Sequence, residues 1–173
     1  MKRYSIITTI LLLFASSAVS DILVEVNATM ITPVCDIRSE NNSSPLVIDF
    51  GTVNSDNLDG NTVDREFPIY ISGCDFNKKL AITLNTNGSN TLMHNGQLLL
   101  ATTIEGLGIH FKEITQGVVR PFDVNSVQAI HPVQITATEY RADLQAQLVG
   151  TIPAEQLSDG QFTSSMTILM TYE

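Results

Sequence analysis

The sequence predicts an all-β domain of the sandwich kind, on three observations. Short runs of alternating apolar and polar residues recur along the chain, clusters of Gly, Asn, Asp and Ser punctuate them, and their close spacing leaves no room for the crossover helices of a parallel sheet. The chain has 173 residues, 43% hydrophobic and 16% charged, enough for one domain with a core of its own and too apolar for a disordered segment. Ten glycines and six prolines are near average usage, which excludes collagen-like and linker-like classes.

Taken in order, the elements are these. Residues 21–31 alternate most regularly, with Ile22, Val24, Val26, Ala28 and Met30 on one face. Residues 46–50 form a second run, stopped by Gly51, and residues 67–72 a third, running into Gly73-Cys74. Further strands are expected at 79–84, 98–102, 107–113, 132–138, 145–150 and 164–172. The turns fall at 59–61, 87–90, Asn95-Gly96, Gln116-Gly117 and 158–160. Residues 134–138 followed by 140–146 could be read as a helical turn, although the local pattern is weak. Met166, Ile168, Met170 and Tyr172 share one face of the last run, which ends at Glu173.

The N-terminus has the form of a secretory signal. Lys2 and Arg3 precede an apolar run over residues 6–14, and Ala18 and Ser20 occupy the small-residue positions of a cleavage site, so residues 1–20 are expected to be removed. The run is too short to serve as a spanning anchor. Removal takes away two basic residues and no acidic one. The mature chain then carries a net charge of −11 in place of −9. Such a surface repels phosphate backbones and anionic lipid, which excludes nucleic acid as a partner.

Two cysteines, Cys35 and Cys74, remain in a chain read as exported. An even count in an oxidising compartment suggests one disulfide. A bridge closing so long a loop would contribute roughly 4 kcal/mol on a chain-entropy basis. Free thiols or a metal pair are the alternatives. The metal pair lacks two further ligands, since no His stands near either cysteine in sequence.

Two apolar strands sit oddly at the ends of a self-sufficient sandwich. Residues 164–172 have no later segment to cover their free edge, and residues 21–31 precede the first cysteine. Both fit an arrangement in which one chain supplies a strand that another lacks.

At this point a family resemblance becomes usable, over essentially the whole mature chain. A signal peptide, the alternating extension 21–31, Pro33-Val34-Cys35, the segment 47–53, the β-rich stretch ending at Cys74, Leu107-Gly108-Ile109, and Gly160-Gln161-Phe162 leading to penultimate Tyr172 follow in that order. The sequence resembles the chaperone–usher pilins, most closely the minor subunits of P and type 1 pili. The resemblance implies an incomplete immunoglobulin-like β-sandwich lacking its last strand. Residues 1–20 would be the signal peptide, 21–34 a donor-strand extension and 35–173 the pilin domain. Ile22, Val24, Val26, Ala28 and Met30 would be the side chains inserted into the next subunit. Met166, Ile168, Met170 and Tyr172 would line the groove and meet the chaperone. One departure is Ala28, where the family usually carries glycine over a shallow pocket. The implied partners are a periplasmic chaperone, the outer-membrane usher and neighbouring pilin subunits, on a route through the periplasm to a surface fimbria. Five apolar side chains buried in this way would contribute about 7–15 kcal/mol before ordering costs.

Catalytic patterns are not found. His94, His110 and His131 are isolated, and neither H-E-x-x-H nor G-x-S-x-G occurs. Gly106-Leu107-Gly108 lacks the third glycine and following helix of a dinucleotide site. Asp56, Asp59, Asp64 and Glu66 lie near one another without the spacing of a calcium loop, and a solvated loop is the better reading. The expectation is therefore a structural pilus subunit in a minor or adaptor position, with no enzymatic activity, no cofactor, no metal and no small-molecule substrate. The alternative is a secreted carbohydrate-binding module or adhesin of sandwich fold.

Overall fold

Alternation at period two becomes two packed layers. The computed structural model describes residues 35–42, 44–58 and 63–173. Eleven strands are described: β1 (Asp36–Ser39), β2 (Val63–Ser72), β3 (Leu80–Asn85), β4 (Thr91–His94), β5 (Gln97–Ala101), β6 (Leu107–Glu113), β7 (Arg120–Phe122), β8 (Val127–Ala129), β9 (Val133–Gln134), β10 (Glu139–Gly150) and β11 (Thr167–Tyr172).

The larger sheet runs β1-β2-β10-β6-β5-β4, with β7 also on β6 and β9 also on β10. The smaller runs β11-β3-β8. Every recorded pairing is antiparallel. The core lies between the sheets and is fed by alternate residues. Phe67, Ile69 and Ile71 come from β2, Leu107, Ile109 and Phe111 from β6, Ala142, Leu144, Ala146 and Leu148 from β10, and Leu80, Ile82 and Leu84 from β3. The expected all-β, immunoglobulin-like sandwich is what the chain forms.

Cys35 and Cys74 are bonded across a sequence separation of 39, with Cα atoms 4.6 Å apart. They flank the β1–β2 ladder, whose first pair is Asp36 with Ser72, so the bond closes the end of that ladder. Arg38 on β1 adds a side-chain clamp to Glu139 on β10, 2.5 Å away.

Several boundaries differ from the sequence expectation. The run at 107–113 is β6 as read. The turn at Asn95-Gly96 joins β4 to β5, with φ of 49° and 81°, the two positive values of a tight hairpin. β4 itself was not anticipated, because Thr91–His94 is only four residues long and its apolar pair, Leu92 and Met93, is adjacent rather than alternating. The short strands β7 and β8 were missed for the same reason of length. The expected strand at 132–138 shrinks to β9, two residues. β10 extends far upstream of 145 and removes the helical alternative for 140–146. Its inward positions from 142 to 148 are Ala, Leu, Ala and Leu, and the small alanines weaken the apolar signal. Residues 46–50 are not a strand, for a reason that lies in the site.

Candidate functional site: an open groove into the core

Residues 45–50 line the opening between the sheets without entering either ladder. Phe50 is buried and Ile48 packs against the core, while Val47 is 77% exposed and Leu46 39%. A segment needs a neighbouring backbone to become a strand, and none among the described residues pairs with this one. A side chain holds it instead. Arg65, near the start of β2, donates from Nε to the Asp49 carbonyl at 3.0 Å and from Nη2 to the Phe50 carbonyl at 2.8 Å. The guanidinium also lies over the Phe50 ring, 5.8 Å from its centroid. Asp49 closes a local turn by accepting from the Gly51 N–H at 2.7 Å, and Gly51 takes a φ of 68°, which suits glycine.

The opposite wall is the approach to β11. Phe162 meets Phe50 across the opening, ring centroids 6.3 Å apart. Ser164 Oγ donates to the Ala101 carbonyl at 2.7 Å, and Thr103 N donates to the Thr163 carbonyl at 3.1 Å. These bonds fix the wall to the β5–β6 connection. β11 then pairs with β3 from Thr167–Asn85 to Tyr172–Leu80 and, among the described residues, is an end strand of its sheet.

Between the walls lies an open cavity of about 470 Å³. Its floor is Leu100, Ile109, Phe111 and Ala146, so it opens directly onto the core. A smaller hollow of about 80 Å³ continues it past Phe162, over Leu107 and Leu148. The floor positions Leu107, Ile109 and Phe111 are alternate residues of one strand and repeat every ~6.6 Å. Asp49 is the single ionisable residue among those lining the larger cavity.

Of the residues expected to line a groove, Met166 does so. Ile168, Met170 and Tyr172 pack, partly buried, against the core further along β11. The Tyr172 hydroxyl accepts from the Asp75 N–H at 2.7 Å, and Lys78 Nζ sits 4.9 Å from its ring centroid. Ile22, Val24, Val26, Ala28 and Met30 lie outside the described residues, as do residues 1–34 as a whole and Asp59. No group of three or more His, Cys, Asp or Glu among the described residues is placed to hold a metal ion.

One polar cluster escaped sequence reading. Glu113 is wholly buried. Its Oε1 accepts from the His131 N–H at 2.7 Å, and its Oε2 faces His131 Nδ1 at 3.0 Å and Arg120 Nη1 at 3.3 Å. The signal was available: Glu113 continues the inward phase of Leu107, Ile109 and Phe111, and a carboxylate in core phase needs built partners. The cluster ties β6 to β7 and to the segment after β8.

The described residues thus form a two-sheet antiparallel β-sandwich with an apolar groove beside β11. The fimbrial protein family matches residues 24–173. The chain belongs to that family and is a structural subunit of a pilus. It is 25% identical over 149 residues to the fimbrial-like protein YfcR of Escherichia coli strain K12, covering 82% of this chain and 74% of that one. The fold is similar to the P pilus rod subunit PapA, with a TM-score of 0.57 and 17% identity over 81% of this chain and 99% of that one. It is also similar to the P pilus adaptor subunit PapF, at 0.53 and 23%, over 83% and 98%. A third likeness, to the CupB6 tip adhesin of Pseudomonas aeruginosa, has a TM-score of 0.51 and 18% identity and covers 80% of this chain but 43% of the adhesin.

Proposed function

We propose that the groove receives an extended strand from another chain, first from a periplasmic chaperone and then, at the outer-membrane usher, from the N-terminal residues 21–34 of a neighbouring pilin. The observation that carries this reading is the cavity over Leu100, Ile109 and Phe111 between residues 45–50 and 162–166. An added strand would give residues 45–50 the backbone partner they lack among the described residues. Its alternate side chains would fall at the same ~6.6 Å repeat as the floor, which matches Ile22, Val24, Val26, Ala28 and Met30 in spacing. The apolar lining suits aliphatic side chains and disfavours charged ones. The resemblance of the sequence to minor pilins supports a minor or adaptor position in the fibre.

The test is the double substitution Val24→Asp with Val26→Asp. Inserted into a neighbour's groove, each carboxylate would be buried without a partner. The expected result is loss of polymerisation onto a chaperone-bearing partner, with recovery of the mutant's own subunit–chaperone complex unchanged. Loss of both, or of neither, overturns the reading.

A further inference from the structure

The outer face of the larger sheet carries a second recess, remote in chemistry from the groove. It is open, about 540 Å³, and lies where the β4–β5 hairpin meets β6 and β10. His94, Asn95, Gln97, His110, Lys112 and Gln147 contribute its polar lining, and no carboxylate is among the lining residues. That composition is unexpected in a chain with 18 acidic residues against nine basic ones. The sheet register brings the groups together. His94 stands opposite Gln97, and His110 opposite Gln147, so the pairs share the outer face while Ile109 and Phe111 fill the core.

Two features distinguish this recess from an ordinary polar sheet surface. His110 is 7% exposed, and its Nε2 is buried with no hydrogen-bond partner among the described residues. A buried polar atom left unsatisfied costs about 1–3 kcal/mol, so its retention calls for an explanation. Lys112 donates to Gln147 Oε1 at 2.5 Å, a neutral acceptor, and an ammonium has two further hydrogens to offer. The neighbouring carboxylates are already engaged. Asp64 accepts from the Gln145 amide, and Asp123 Oδ1 accepts from the Leu98 N–H at 2.8 Å.

We infer that this recess binds an acidic saccharide, its carboxylate held by Lys112 and His110 and its hydroxyls by the amides of Asn95, Gln97 and Gln147. The amides offer both donors and acceptors, as hydroxyls require, and Val149 and Leu58 give an apolar wall for a sugar face. Burial holds the His110 imidazole below its ordinary pKa. The Lys112 charge acts in the same sense, Asp123 opposes it, and His94 adds a smaller lowering. Free His110 is therefore neutral near neutrality. A bound carboxylate favours its protonation, so binding takes up a proton and strengthens as pH falls.

The experiment is ligand-observed saturation-transfer NMR on the purified mature chain, with glucuronate as probe, glucose as its neutral counterpart and acetate as a carboxylate without hydroxyls. Saturable glucuronate binding is expected, tightening as pH falls toward the lowered pKa of free His110. Lys112→Met should weaken it at least about tenfold, as loss of a charged hydrogen bond does. His110→Phe should weaken it and flatten the pH profile, while Lys112→Arg should retain it. Unchanged thermal unfolding of each variant separates lost binding from lost fold. The inference is overturned if glucuronate does not saturate, if glucose or acetate competes equally, or if Lys112→Met binds as the parent does.

Discussion

The β2–β10–β6 face and the groove wall at residues 45–50 are built from the same kind of sequence and end in opposite states. Both send alternate residues toward the core, and both place an aromatic residue there, Phe67 and Phe111 on one side and Phe50 on the other. On the first, each strand has backbone on both sides: β10 pairs with β2 over ten residues and with β6 over seven. On the second, Arg65 stands in for a strand with two side-chain hydrogen bonds. The lesson is that alternation specifies which residues seek the core, while the presence of a backbone neighbour decides whether the segment is a strand. Where no neighbour is found among the described residues, a cavity is left over the buried side chains of Leu100, Ile109 and Phe111.

That contrast can be broken most severely at Glu113. Glu113→Ala removes the buried acceptor shared by Arg120 and His131 and should cost about 3–5 kcal/mol, from the cavity left at a fully buried site and the loss of the acceptor for the His131 N–H. Arg120→Met should cost much less, because its side chain is 34% exposed and solvent takes over part of its interaction. Denaturant titration of the two variants checks the ordering, and equal losses would show that the cluster does not turn on the buried carboxylate.

The next largest effect separates the closed face from the open one. Leu144→Ala, at a site 1% exposed between paired strands, should lose about 2–5 kcal/mol. Val47→Ala, on the groove wall and 77% exposed, should stay within about 0.5 kcal/mol while lowering the rate of assembly. A Val47 variant as unstable as the Leu144 variant would mean that the wall belongs to the closed core.

Arg65→Ala sharpens the same comparison from the other side. It withdraws both donors from the Asp49 and Phe50 carbonyls, which are part exposed, so a loss of about 1 kcal/mol is expected. Hydrogen exchange should accelerate at residues 48–51 and remain unchanged in β10. Uniform acceleration would contradict the stand-in role given to this arginine.

How much of this was legible beforehand follows from the same physics. β6 could be bounded to the residue because Leu107, Ile109 and Phe111 alternate cleanly and Glu113 ends the strand. The β4–β5 turn was legible because Asn-Gly answers a demand for two positive φ values. β10 was read only from 145 onward because Ala142, just upstream, carries little apolar signal, although it is fully buried. The groove itself was legible only through the family resemblance. Nothing in residues 46–50 distinguishes a strand with a partner from one without, since the difference lies in a backbone elsewhere. The recess around His110 was not legible at all: three histidines scattered over the sequence gave no sign that β4 and β6 would bring two of them to one face.

The central claim is that a neighbour's residues 21–31 occupy the groove, and site-specific photocrosslinking tests it most directly. A benzophenone amino acid replaces Val26 in isotopically heavy subunits, which are co-assembled with light ones, and the crosslinked peptides are identified by mass spectrometry. The account predicts heavy–light crosslinks from position 26 to residues 45–50, 162–166 or the floor at Ile109 and Phe111. Crosslinks confined to a single isotope, showing that the segment contacts only its own chain, would contradict it.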